Sequence, residues 1–192
     1  NRAMTETAEL SGDILVSSYP FWRYNTIVDI GGGQGLFLAQ IIRESEKSNG
    51  ILFDQPHVVD RASENFKKQQ VENRCSIVPG SFLESIPRNG DLYIMKNILH
   101  DWCDDEAIRI LKNIRQYMPG NAKLLLIETI IKPDNKPSFG KFVDLQMLMG
   151  TEGGRERTLE EFRNILINAG FMLARIIDNA TPFSFIEASK AD

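Results

Sequence analysis

Short β-branched runs alternate with longer amphipathic stretches over most of this chain, and that alternation restricts its fold more than any other feature. The runs that predict strands are Thr26–Ile30, Ile51–Asp54, Cys75–Val78, Asp91–Lys96 and Lys123–Thr129. The segments between them predict helices; residues 104–118, for example, place apolar side chains at i, i+3 and i+4 spacing. Strands that alternate with helices indicate an α/β fold, in which helices cover both faces of a mostly parallel sheet.

Further elements complete the expected layer of helices and the end of the sheet. The helices are predicted at Leu36–Glu46, from near Pro56, at Phe142–Met149 and from the capping box Thr158–Glu161 to Gly170. The last two apolar runs, Phe171–Ile177 and Phe183–Ala188, flank a polar turn and can pair as an antiparallel hairpin. The chain therefore predicts a seven-stranded, mostly parallel sheet that ends in this hairpin.

Composition and charge exclude several classes of function. The net charge is −4 and no basic run is present, so we expect no nucleic-acid partner. No apolar segment approaches the roughly 20 residues that cross a bilayer, and the N-terminal sequence has no signal-peptide core, so we expect no membrane partner. Two cysteines, Cys75 and Cys103, do not form a disulfide framework, which favours a cytoplasmic location. A Cys103 nucleophile is the alternative to a small residue entering a helix, but no oxyanion motif accompanies it.

A glycine-rich loop follows the first strand. The sequence from Asp29 to Gly35 reads D-I-G-G-G-Q-G, in which Gly31 and Gly33 let the backbone approach a ligand that a Cβ would exclude. A dinucleotide fingerprint needs glycine where Leu36 stands, so the pattern is instead D-x-G-x-G-x-G, typical of S-adenosylmethionine-binding loops. Asp54 ends the second strand, where a carboxylate can accept both ribose hydroxyls. The alternatives are a glycine turn without a ligand and a helix N-cap at Asp54.

Polar residues gather where the predicted strands end, which is the edge at which α/β sheets bind ligands. They are Asp29, Asp54, Ser81, His100 and Glu128. His100 stands in the stretch NILHDWCDDE, where it can be a packed residue, a metal ligand or a general base. A metal site is disfavoured because the second histidine, His57, lies on another loop and no cysteine pair supports it.

These features, taken with further motifs, resemble class I O-methyltransferases of the caffeic acid and hydroxyindole O-methyltransferase type. The matching stretches run in family order from about Ile27 to Phe171: IVDIGGGQG, LFDQPHVV, PGSFLESIP, DLYIMKNILHDW, ILKNIRQYMPGNAKLLLIETI, DLQMLM and GGRERTLEEFRNILINAGF. The resemblance implies a Rossmann-like, doubly wound fold. It also implies S-adenosyl-L-methionine as cofactor, S-adenosyl-L-homocysteine as product, no metal, and a small aromatic or polyketide-like hydroxyl compound as acceptor.

The resemblance also assigns roles to individual residues. It implies His100 as general base, with Glu128 and Glu156 as the acids that flank it. For the cofactor site it implies Asp29, Gly31, Gly33, Asp54, Ser81, Phe82 and Lys96, with Phe82 against the adenine and Lys96 near the adenine side. For the acceptor pocket it implies Asp101, Asp144 and Met147. The plainer alternatives are an N-cap at Asp101, a surface ion pair of Glu156 with its neighbouring arginines, and a solvated strand end at Lys96.

The chain departs from the family pattern in two respects. Gly80-Ser81-Phe82 replaces the usual glycine-aspartate-phenylalanine, which predicts weaker or water-mediated contact with the adenine amino group. Family members also begin with a dimerisation domain of about a hundred residues. We therefore expect residues 1–25 to be a helical lead-in from such a domain, residues 26–192 to be the catalytic domain, and the full-length protein to be a homodimer.

The chemistry of methyl transfer to oxygen explains why these residue types are needed. A phenolic hydroxyl titrates near pH 10, so it needs a base at neutral pH, and an imidazole is neutral enough to accept its proton. A carboxylate beside the imidazole can orient the ring. The alternatives are a relative with altered chemistry, such as N-methylation, decarboxylation or hydroxylation, and a binding-only module.

Overall fold

The computed structural model of the protein describes residues 11–151 and 153–191. Residues 11–18 form the first helix, α1, and residues 1–10 of the predicted lead-in lie outside the described residues. The other helices are α2 (Leu36–Glu44), α3 (Ala62–Lys68), α4 (Asp104–Tyr117), α5 (Phe139–Gly150) and α6 (Leu159–Asn168). The strands are β1 (Thr26–Ile30), β2 (Asn49–Asp54), β3 (Cys75–Pro79), β4 (Leu92–Lys96), β5 (Lys123–Ile131), β6 (Arg157–Thr158), β7 (Phe171–Asp178) and β8 (Phe183–Lys190).

The strands form one sheet in the order β3-β2-β1-β4-β5-β8-β7. The first five are parallel to one another, whereas β8 runs antiparallel to β5 and β7 antiparallel to β8. The predicted seven-stranded α/β sheet with an antiparallel C-terminal hairpin is confirmed. The two-residue β6 was not predicted, and it pairs with the end of β5.

Both faces of the sheet are buried, and successive strand residues point to opposite faces, so neighbouring residues belong to different cores. Val28 belongs to the core beneath α4 and α6, whereas Ile27 belongs to the core beneath α2 and α3. The same alternation places Tyr93 with the first core and Leu92 with the second. Each fully buried aliphatic side chain contributes about 1.5–3 kcal/mol, so burial on both faces stabilises the strands that carry the site residues.

Several element boundaries differ from the sequence prediction; α5, for example, begins at Phe139 rather than Phe142. Two of the differences have a clear cause in the backbone contacts. The helix predicted near Pro56 begins only at Ala62, because residues 55–58 first form a turn in which Val58 and Val59 donate to the carbonyl of Gln55. Strand β5 continues past Thr129 to Ile131, because Ile130 gains β6 as an extra partner. Among the described residues, no helix is long and apolar enough to cross a membrane.

Candidate active site

The strand order reverses between β1 and β4, and the glycine loop leaves β1 at that point. Gly31 and Gly33 have φ angles of +69° and +62°, which L side chains rarely adopt. A Cβ at Gly31 would stand 2.5 Å from Cδ1 of Ile98, whereas a Cβ at Gly33 would meet nothing within 4 Å. The loop is therefore closely packed against Ile98 at its start and open at Gly33, in the crevice where open α/β sheets bind ligands.

Replacement of Gly31 by alanine is expected to lower the free energy of unfolding by about 1–2 kcal/mol from the backbone alone. The contact with Ile98 adds to that loss. Gly120→Ala is the matched control, because Gly120 has no neighbour within 4 Å of its Cβ position. Denaturant unfolding measures both variants, and equal stability for the two would contradict the predicted role of the loop.

Asp54 connects the second strand to the glycine loop. Its Oδ2 accepts a 2.8 Å hydrogen bond from the Gly33 amide, and its Oδ1 accepts one of 2.7 Å from the Gln55 amide. The alternative of a helix N-cap is wrong, since the next α-helix begins eight positions later with Arg61 as its N-cap. The carboxylate therefore stands beside the open part of the loop.

The loop after β3, which carries Ser81 and Phe82, lies against the glycine loop. The Ser81 hydroxyl accepts from the Leu83 amide at 3.3 Å, so it caps its own turn. The Phe82 ring meets Trp102 edge to face at 6.0 Å and lies 3.8 Å from the Cβ position of Gly31. Asn113 donates to the Phe82 carbonyl at 2.7 Å and holds the loop against α4. Sequence reasoning missed Asn113, because a polar residue on a helix carries no signal of a distant partner.

Asp29 and Lys96 both lie close to Gly32 of the glycine loop. Lys96 extends over the rings of Phe37 and Phe183 at 5.7 and 5.4 Å, and burial lowers the pKa of its ammonium although Asp29 and Glu128 oppose that effect. It is therefore no solvated strand end. Lys96 lines a cavity of about 220 Å³, which Phe82 does not line. The predicted contact of Lys96 with an adenine stays a prediction.

The Asp29 carboxylate is buried, and its Oδ2 has no hydrogen-bond partner in the described part of the chain. Burial raises its pKa to about 7, against a smaller lowering by Lys96. The native state then binds more protons than the unfolded state, so stability falls as pH rises from about 4 to about 7. We expect Asp29→Asn to flatten that slope, as measured by denaturant unfolding at pH 5 and pH 8. Replacing the exposed Asp60 by asparagine should leave the slope unchanged, and an equal slope in Asp29→Asn would refute the expectation.

His100 stands in a 3-10 turn, Leu99–Asp101, between β4 and α4. Its Nδ1 lies 3.0 Å from Oε1 of Glu156, and its side chain is 15% exposed. Glu156 does not form the alternative surface ion pair with its neighbours; its carboxylate is buried, and both arginines bind Asp104 instead. The structure thus brings together two predicted residues that are 56 positions apart.

Glu128 serves the same turn in a different way. Its Oε1 accepts hydrogen bonds from the backbone amides of Ile98 at 3.0 Å and Leu99 at 2.9 Å. The preceding residue, Asn97, has a φ of +53°, and this left-handed step turns the two amides toward one oxygen. Burial raises the pKa of Glu128 to about 7, although His100 and these amides lower it. Glu128 therefore holds the backbone of the histidine turn and contributes charge near the ring.

The residues assigned to the acceptor pocket lie on two segments near His100 and Glu156: Asp101 on the histidine turn, and Asp144 and Met147 on α5. Asp101 Oδ1 lies 3.6 Å from Nε2 of His100, and its side chain is half exposed; α4 has Cys103 as its N-cap, so Asp101 does not cap that helix. Asp144 on α5 accepts a 2.9 Å hydrogen bond from the Glu156 amide, which places the middle of that helix beside Glu156. Met147 lies on the same helix, half-buried. Their contact with an acceptor stays a prediction.

One ligand atom each from His100, Glu128 and Glu156 falls within 4.8 Å of the others, a grouping that a divalent cation could use. Nδ1 of the histidine already contacts Glu156, and Oε1 of Glu128 accepts two amides. His57, the second histidine, is exposed on another loop. The Oε2 atoms of Glu128 and Glu156 have no hydrogen-bond partner among the described residues. The absence of a metal therefore stays a prediction.

Comparison with known proteins places the chain in a family. A family model for an O-methyltransferase domain matches residues 1–172. A phenazine O-methyltransferase of Lysobacter antibioticus is 39% identical over 98% of this chain and 55% of its own length. A mitomycin biosynthesis 6-O-methyltransferase of Streptomyces lavendulae is 35% identical over 100% of this chain and 54% of its own. An 8-amino-8-demethylriboflavin N,N-dimethyltransferase of Streptomyces davaonensis is 33% identical over 96% and 53%.

Solved structures agree with these matches. The crystal structure of LaPhzM superposes with a TM-score of 0.92 at 38% identity, over 98% of this chain and 57% of that one. That of NcsB1, an O-methyltransferase from neocarzinostatin biosynthesis in complex with S-adenosylmethionine and 2-hydroxy-5-methyl naphthoic acid, superposes with a TM-score of 0.82 at 26% identity, over 92% and 52%. The chain spans about half the length of the curated relatives it matches. It belongs to the family defined by the O-methyltransferase domain, the class I S-adenosylmethionine-dependent O-methyltransferases.

Proposed function

We propose that this chain is the catalytic domain of an S-adenosylmethionine-dependent O-methyltransferase that methylates a hydroxyl of a small aromatic or polyketide-like acceptor. The observation that carries the proposal is the 3.0 Å contact between His100 and the buried Glu156, at the strand edge that also holds the glycine loop. His100 is the general base, and the product of the cofactor is S-adenosylhomocysteine.

The residues around the glycine loop fit this cofactor. A Cβ at Gly31 would collide with Ile98, so only a glycine keeps that part of the crevice available. Asp54 can accept ribose hydroxyls, while Phe82 offers an aromatic edge for the adenine and Ser81 a neutral hydroxyl beside it. When bound, S-adenosylmethionine supplies a methyl group on a sulfonium. The chain's own residues mainly orient the acceptor, and orientation can contribute on the order of 7–11 kcal/mol in favourable cases.

The proton of the acceptor hydroxyl goes to His100. Glu156 accepts the hydrogen of Nδ1, so the neutral ring presents the lone pair of Nε2 to the acceptor. Burial alone lowers the pKa of His100, but the hydrogen bond to Glu156 and the charges of Glu128 and Asp101 outweigh it, and the pKa is raised. A raised pKa makes the imidazole a stronger base for a phenol, and the nearby carboxylates stabilise the imidazolium that forms.

N-methylation is the second candidate, because one relative carries the name of an N,N-dimethyltransferase. An amine acceptor is already nucleophilic when neutral and needs no deprotonation before attack. The contact of His100 with the buried Glu156, and the charge of the buried Glu128 nearby, favour a hydroxyl acceptor instead. Asp144 and Met147 are proposed to border that acceptor. A homodimer formed through an N-terminal domain, with residues 1–25 as the lead-in, stays a prediction that light scattering of the full-length protein can test.

Calorimetry and a transfer assay test the function together. Calorimetry should show binding of S-adenosylmethionine and S-adenosylhomocysteine and none of NAD, because Leu36 stands where a dinucleotide loop needs glycine. Full-length protein should then transfer the methyl group to phenols in a panel of matched phenols and anilines. Absence of heat with both sulfur nucleosides would overturn the proposal, and transfer to anilines alone would replace it by N-methylation.

A further inference from the structure

Arg157 is an arginine with none of its side chain exposed, and its guanidinium makes three hydrogen bonds. Nη1 donates to the Leu99 carbonyl at 2.6 Å and Nη2 to the Trp102 carbonyl at 2.7 Å. Nε donates to Oδ1 of Asp104 at 2.9 Å. The two carbonyls stand immediately before and after His100 and Asp101, so one rigid guanidinium holds both ends of the turn that carries the proposed base.

The residues next to Arg157 hold the same turn from the same side. The Arg155 amide donates to the His100 carbonyl at 2.8 Å, and the Glu156 carboxylate contacts the His100 ring. Three consecutive residues therefore hold the ring, the carbonyl and the flanking backbone of one histidine. Because Arg157 also pairs with β5 as part of β6, the segment connects the histidine turn to the sheet.

Asp104 holds the guanidinium in place. Its Oδ1 accepts from Arg157 and its Oδ2 from the Nη2 of Arg155 at 2.8 Å. The two arginines lower the pKa of this half-exposed carboxyl, although the largest single influence, burial, raises it. Asp104 is the first residue of α4, so the pair also joins the histidine turn to the start of that helix.

We propose that Arg157, anchored by Asp104, is a positioning residue for methyl transfer, which sets the orientation of the His100 ring toward Glu156 and toward the acceptor. The inference rests on the proposed function for its consequence in catalysis. Its structural part, the control of the ring of His100, can be measured without any acceptor.

The physical reason is geometric. The ring of His100 contacts Glu156 through one nitrogen, and its backbone can pivot only as far as the carbonyls of Leu99 and Trp102 allow. A lysine at position 157 keeps a positive charge but cannot present three donors in a fixed plane. The turn would then relax, and a displacement on the order of 1 Å in a reacting group can cost about 10²-fold in rate.

The first experiment is a histidine NMR titration, which the composition favours because the chain has only two histidines. In the unaltered protein the His100 ring should carry its proton on Nδ1, opposite Glu156. The charged groups that face the ring are Asp101, Glu128 and Glu156, and they raise the pKa of His100 against burial. In Arg157→Lys the ring loses its fixed contact with Glu156, so its titration midpoint should move to lower pH and its tautomer should become mixed.

Arg115→Lys is the matched control for this substitution. Arg115 also donates to two backbone carbonyls, but these belong to Gly170 and Ala191 in the C-terminal part of the chain and not to the histidine turn. The Arg115→Lys variant should have a lower free energy of unfolding but unchanged His100 signals. The signals of His57, exposed on a different loop, should stay constant in both variants.

Asp104→Ala keeps the test decisive if Arg157→Lys does not fold. It removes one of the three acceptors of Arg157 from a half-exposed position, so the His100 titration should move in the same direction by a smaller amount. Asp105→Ala is its control, since Asp105 lies in the same first turn of α4 and is exposed. An unchanged His100 titration in the folded Arg157 variant or, failing that, in Asp104→Ala would overturn the proposal.

Kinetics of the full-length protein then separate positioning from structure. Arg157→Lys should lower kcat about 10²-fold, with the dissociation constant of S-adenosylmethionine unchanged within about twofold. If S-adenosylmethionine does not bind the unaltered protein, the proposed function fails while the NMR result still stands. If it binds and Arg157→Lys retains full kcat, the positioning role fails while the proposed function stands.

Discussion

Replacement of His100 by glutamine is expected to lower the rate of methyl transfer by about 10²–10⁴-fold, the range typical of a lost general base. Glutamine approximates the length of the imidazole and can still donate to Glu156, so the turn should keep its shape. It cannot accept a proton from a phenol. Single-turnover transfer from S-adenosylmethionine to a phenolic acceptor measures the rate, and calorimetry should show unchanged cofactor affinity because the glycine loop is intact.

The pH dependence gives this prediction a second measurement. The base must be unprotonated, and the pKa of His100 is raised above 6.5, so kcat/KM should rise with pH through a midpoint above that value. His100→Gln should lose that rise. His57→Gln is the control and should retain both the rate and the profile, since His57 is exposed on another loop. Full activity of His100→Gln would remove the general-base assignment.

Replacement of Asp54 by alanine is expected to weaken binding of S-adenosylmethionine about 10²-fold or more. A hydrogen bond to a charged group contributes about 1.5–3 kcal/mol, and the proposed role of the carboxylate is to accept from two ribose hydroxyls. The substitution also frees the Gly33 amide, which donates to Oδ2 at 2.8 Å. The loop and the ligand therefore lose the same partner, and calorimetry at constant ionic strength measures the combined effect.

Two further variants separate the parts of this effect. Asp54→Asn keeps an acceptor for the Gly33 amide but removes the charge, so its loss of affinity should be smaller than that of Asp54→Ala and still clear. Asp60→Ala is the control, because Asp60 is an exposed acid shortly after the same strand. Equal affinity in Asp54→Ala and Asp60→Ala would show that the carboxylate of Asp54 does not hold the nucleoside.

Local pattern was enough to predict the seven main strands of the sheet, but not the two-residue β6. The runs TIVDI and KLLLIET predict buried strands because both of their faces are apolar, and the structure confirms both within two residues at either end. The capping box at Thr158 is present with both of its hydrogen bonds. The start of α3 was missed because the turn after Asp54 closes on the carbonyl of Gln55, a backbone contact that side-chain pattern does not report.

The sequence alone also determined which residue types stand near this edge of the sheet: the glycine loop, Asp54 and the His100 turn after their strands, and Glu128 three residues before the end of β5. Tertiary structure decided what they contact. Glu156 reaches His100 from 56 positions away, Glu128 binds backbone amides of the histidine turn, and Arg157 donates to that turn from 58 positions beyond Leu99. Strand and helix signals are local because they depend on backbone sterics and on the burial of one face. Hydrogen bonds between distant segments depend on how β5, β6 and α4 pack together. The spacing of residues along the chain does not show which distant residues this packing brings into contact.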